Sequence, residues 1–197
     1  AVINQELEEL VKESELSKWM ETLAILSTYG KSEEFPLLCE LLGGLLEEKS
    51  GGASGEFRNA ASLCYMCALN ISKSVGFWKE ELEARNRKVS GLDILALQEF
   101  VEKVTVFCYM ENGGTSQQAG KDPLDHLPED IKAEVNELFT TYSEALANQG
   151  LFETAGQYAK ADSASCAELR DRLYNSASQE AKAMMGQVVS PYQKVNI

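Results

Sequence analysis

Ala60 to Asn70 reads AASLCYMCALN, ten positions of small, aromatic and aliphatic side chains broken only by Ser62 and closed by Asn70. Ala, Leu and Met favour helix, and no Gly or Pro interrupts the run. A helix that is apolar around most of its circumference needs neighbours on several sides. Immediately after it, Ile71, Val75, Trp78 and Leu82 show the 4-3-4 spacing of a one-sided helix. A buried helix followed by a covering one is the repeating unit of an α-solenoid. The expected fold class is therefore all-α, an α-solenoid of stacked antiparallel helical hairpins. Leu63, Cys64, Cys67 and Trp78 are expected core residues.

Outward from this stretch the chain reads as helix after helix. Ile3, Leu7, Leu10 and Val11 mark a first short amphipathic helix. Ser17 is the expected N-cap of the next, which carries Trp19, Leu23 and Leu26 and stops at Gly30. Ser32-Glu33-Glu34 opens a third, with Pro36 where a missing N–H does little harm. Gly43-Gly44 lies inside its leucine-rich face, at about 1 kcal/mol per Gly relative to Ala. Either the helix bends there or another backbone passes close.

Ser50 to Gly55 reads as a flexible connection, and Arg85 to Gly91 as a polar break. Leu97, Val101, Val104 and Cys108 then define a long periodic helix. Asn112 to Pro128 is the longest loop. The cleanest helix follows, with Ile131, Val135, Leu138, Tyr142, Ala145 and Leu146, acids at its start and Gly150 at its end. Shorter helices are expected around Leu151–Lys160 and Ser165–Asn175. The domain expectation is a helical segment over 1–176 with a loop near 112–128. Residues 177–197 read as weakly helical (Gln179–Gln187), then extended from Ser190. Val101, Leu138, Tyr142 and Leu146 join Trp19 and Leu23 in the expected core.

Composition narrows the function classes. The chain has 197 residues, 44% of them hydrophobic and 25% charged, which is ordinary for a globular protein. Its formal net charge of −13 is spread along the chain. Without a basic stripe it is a poor candidate for direct binding to nucleic acid or to anionic lipid. No apolar run approaches the roughly 20 residues of a membrane-spanning helix, and the start does not read as a signal peptide. The chain opens on Ala1-Val2-Ile3 and is expected to be an excised piece of a longer protein. Five Cys, an odd number set in apolar helical runs, suit reduced cytosolic thiols. Asn70-Ile71-Ser72 matches a glycosylation pattern but reads better as a helix-to-helix turn capped by Ser72 or Asn70.

Chemistry has few footholds. Cys64-x-x-Cys67 has metal-ligand spacing, yet no second pair or nearby His completes four ligands. A redox pair would sit exposed at a helix start, and this one lies in the most apolar helix. His126 is the only histidine, between Asp122, Asp125 and Pro128, and reads as part of a solvated loop. No nucleophile elbow or phosphate-binding glycine pattern occurs. Glu8-Glu9, Glu33-Glu34 and Glu80-Glu81 suit solvated helix faces or N-termini. Trp19 and Trp78 read as core anchors. Catalytic residues, metal ligands and cofactors are all expected to be none.

A family resemblance rests on an ordered set of short matches. They are Ser17-Lys18-Trp19, Ala24 to Tyr29, Glu33-Glu34-Phe35, Leu38 to Gly43 and Leu46-Glu47. Ala61, Leu63-Cys64-Tyr65, Cys67-Ala68, Asn70, Trp78, Leu146-Ala147, Gln149-Gly150 and Leu169 to Leu173 continue it. In these the chain resembles the Sec-thirty-one family, the rod-forming subunit of the outer cage of the COPII vesicle coat. The resemblance implies an ancestral-coatomer α-solenoid, here its C-terminal half, acting as a structural scaffold in ER-to-Golgi transport and not as an enzyme. It implies a homodimer forming the middle of a cage edge, cytoplasmic and peripheral on COPII vesicles and endoplasmic reticulum exit sites. A small β-propeller partner and the inner coat would be bound through other regions of the full-length protein, and membrane contact would be indirect. Val188-Val189-Ser190-Pro191 would be where the family's Pro-rich region begins.

Two other readings stand beside it. A helical-repeat module that binds peptides in a groove would show a recurring pattern of about 34 residues. Only Tyr142, Leu146-Ala147, Gly150 and Ala155 resemble one such unit, and the irregular helix lengths favour the coat. A nuclear-pore or coat-assembly solenoid matches the Trp19-to-Cys67 features less well.

Overall fold

A computed structural model describes residues 2–50, 57–111, 124, 127–161 and 163–176. The expected connection at Ser50–Gly55 beyond Ser50, most of the loop at 112–128, and everything from 177 onward lie outside the described residues. So do His126 and both neighbouring aspartates. The described chain is all-α, with no strand among its residues. It divides into two compact units, residues 1–81 and 82–197.

The first unit contains α1 (Val2–Glu13), a 3-10 turn (Leu16–Lys18), α2 (Trp19–Tyr29), α3 (Phe35–Ser50) and α4 (Arg58–Cys67). It ends within α5 (Ile71–Val89). Leu7, Val11, Leu26, Leu38, Leu42, Leu46, Ala60, Ala61, Cys64, Tyr65 and Phe77 form one buried cluster, with Trp19 and Leu23 packed against it. Ser17 does not cap α2. It falls inside the 3-10 turn, and Lys18 holds the cap position without a side-chain bond. Gly30 does end α2, but with extended rather than left-handed backbone (φ −68°, ψ 138°). Glycine is needed there for space: a Cβ would stand 2.5 Å from the Leu26 carbonyl oxygen.

The Gly43-Gly44 pair is settled by α4. The helix α3 runs unbroken through both, and a Cβ on Gly43 would meet the Cys64 Cβ and the Tyr65 ring at 3.3 Å. Gly43 therefore lets α4 lie close, whereas Gly44 has only the Tyr65 hydroxyl, 3.8 Å away. That hydroxyl donates to Glu47 at 2.6 Å, and Lys73 reaches the same carboxylate at 2.9 Å. Tyr65 so ties α3, α4 and α5 together.

The turn between α4 and α5 is built by backbone bonds. Asn70 N–H donates to the Tyr65 carbonyl and Leu69 N–H to that of Met66, the paired bonds of a Schellman motif. Leu69 takes the left-handed position, at φ 54°, that glycine usually fills. Between the two cap candidates, Asn70 does the work: its Oδ1 accepts from the Lys73 N–H at 3.0 Å.

In the second unit, α5 continues as helix through Arg85 and Val89, where a polar break was expected. Arg85 is helical, and Asp93 and Glu99 bind its guanidinium at 3.1 and 2.7 Å. The break comes at Ser90–Asp93, and Asp93 caps α6 (Ile94–Glu111) by accepting from the Ala96 N–H. That bond, with Arg85 nearby, holds the Asp93 carboxyl below the usual carboxylate range. Next, α7 (Glu129–Asn148) ends at Gly150, whose φ of +81° closes a second Schellman motif. The short α8 (Phe152–Tyr158) is fastened to α7 by Ser143 Oγ, which donates to the Ala155 carbonyl at 2.7 Å. Tyr158 also meets Tyr142 edge-on at 5.1 Å. Arg170 of α9 (Ala164–Ser176) donates to the carbonyls of Ala159 and Ala161.

The glycine pair separates packing from propensity. Gly43→Val should destabilise the protein by about 2 kcal/mol, since it overpacks the α3–α4 contact. Gly44→Ala, with room for its methyl group, should stabilise by up to about 1 kcal/mol. Urea midpoints of the two variants, moving in opposite directions, check this.

Candidate functional site

The expected core residues divide by position. Cys64, Trp78, Val101, Tyr142 and Leu146 are buried. Trp19, Leu23, Cys67 and Leu138 are half-buried. Leu63 is a correction, because it stands 39% exposed. The α4 helix buries only Ala60, Ala61, Cys64 and Tyr65, so it is packed along one side and is not apolar-buried all round. Cys64 and Tyr65 meet α3 at Gly43, and Leu63 lies off that side.

Among the described residues no group of three or more His, Cys, Asp or Glu could hold a metal ion. Burial pushes the Cys39 and Cys64 thiols up to about 12, with neighbouring thiols adding to it, and raises Cys67 as well. A nucleophilic or redox cysteine needs the opposite shift. The carboxylate pairs are engaged locally: Glu8 with Lys12, Glu34 with Lys31 at 4.0 Å, and Glu80 with Arg58. Glu47 is drawn down by hydrogen bonds from Tyr65 and Lys73, which outweigh the upward push of its burial. No described helix is long and apolar enough to cross a membrane.

Several exposed apolar side chains gather on α6. The inner face of α6 carries Leu97, Val101, Val104 and Cys108, all buried as the periodicity implied. Its outer face carries exposed apolar side chains as well, on either side of Glu99 and Glu102: Leu95 is 68% exposed, Val106 58% and Met110 62%, with Tyr109 about half exposed. Val89 and Leu92, at the corner leading into α6, are exposed too. At about 100° per residue, Leu95, Glu99, Glu102, Val106, Tyr109 and Met110 fall within an arc of roughly 120°. Glu99 is bound by Arg85, and Glu102 accepts from the neutral Gln98 amide at 2.8 Å. Sequence reasoning missed this face because it followed only the stronger inner period. The signal was present in the seven-residue spacing of Leu95, Glu102 and Tyr109.

The described residues are thus all-helical, with four of the five thiols buried and with exposed apolar side chains on the outer face of α6. Comparison with known proteins finds similar sequences. The chain is 33% identical over 181 residues to protein transport protein Sec31A of Danio rerio, covering 91% of this chain and 13% of that protein. It is 32% identical to Sec31A of Gallus gallus over 98% of this chain and 14% of the relative. Protein transport protein SEC31 of Coccidioides immitis is 30% identical over 80% of this chain and 13% of its own length. The chain thus resembles the Sec31 family along nearly all of its length, as the ordered matches implied, while spanning only about an eighth of these relatives. No family model and no solved structure matches it.

The raised thiols set a pH dependence. The folded state holds Cys39 and Cys64 neutral up to about 12, whereas unfolded thiols ionise near 9. Their contribution to stability is complete below pH 9 and is lost as pH rises from there towards 12. The urea midpoint should be level between pH 7 and about 8.5 and fall above about 9. A Cys39→Ala, Cys64→Ala variant should show a shallower fall.

Proposed function

We propose that this chain is part of a Sec31-type scaffold subunit of the outer COPII vesicle coat. In this reading residues 1–176 stack as antiparallel helical hairpins into an α-solenoid of the ancestral-coatomer type. A second copy pairs with it to make part of a cage edge for ER-to-Golgi transport. The observation that carries the reading is the 33% identity over 91% of the chain to a protein transport protein. Packing between successive helices supports it: α3 lies on α4 in the first unit, and α6 on α7, α7 on α8 and α8 on α9 in the second. Such nearest-neighbour contact is how solenoids distribute their stability.

The role is mechanical. Burial at about 25 cal/mol per Å² of apolar surface makes a stiff element, and pairing carries that stiffness along an edge. The net charge of −13 keeps the chain off anionic lipid, so recruitment is indirect, through the inner coat and a β-propeller partner bound elsewhere in the full-length protein. The protein works in the cytoplasm, peripheral on vesicles and endoplasmic reticulum exit sites, and catalyses no reaction.

Light scattering of the 197-residue chain across a dilution series tests the pairing. We expect the mass of a dimer down to low micromolar concentration. A monomer at every concentration would remove the pairing from this segment and leave the fold untouched.

A further inference from the structure

We draw no further inference here: the strongest candidate, the exposed apolar side chains Leu95, Val106 and Met110 on the outer face of α6, carries none, because nothing in the structure shows what covers them.

Discussion

The first unit depends on one close approach, that of α4 to α3 across Gly43. A missing Cβ brings Cys64 and the Tyr65 ring within 3.3 Å of where that atom would be. Close helix–helix contact fixes the rest by geometry. It places Tyr65 where its hydroxyl reaches Glu47, and it brings Lys73 of α5 to the same carboxylate and over the Tyr65 ring. Cys39 and Cys64 are shut into the same packing, which is why their protons are held so firmly.

Local chemistry at the helix ends then sets the chain's course. Asn70 and Asp93 each accept a hydrogen bond from a backbone N–H three residues on, supplying a partner that the helix itself lacks. Two Schellman motifs close α4 and α7, but with different residues in the left-handed position. Gly150 adopts it without cost, while Leu69 takes it against its own preference. The backbone bonds on either side of Leu69 compel that conformation, so the turn is held by hydrogen bonds despite the residue it contains.

The functional reading and the packing meet at the surface. The chain is similar over most of its length to segments of protein transport proteins, and four of its five cysteines are buried. Its distinctive exposed feature is a helix with apolar side chains on both faces. One face is accounted for by the core of the second unit. The other, interrupted by Glu102, carries an acidic mark that a core-facing stripe would not tolerate.

Much of this was fixed by local pattern. Helical periodicity located the longer described helices, because burial on one face repeats every 3.6 residues whatever the neighbours are. Asn70, Asp130 and Gly150 announced helix ends through side-chain or backbone preferences that act within a few residues. Tertiary structure decided what depends on distance between segments. Whether Gly43-Gly44 bent a helix or admitted one could be known only once α4 was in place. Leu63 reads as core in any linear window, yet it is exposed because α4 buries the side that carries Ala60, Ala61, Cys64 and Tyr65. Arg85 looked like a break yet lies within α5, and its guanidinium pairs with Asp93 and Glu99 across a turn, a contact that no local preference encodes.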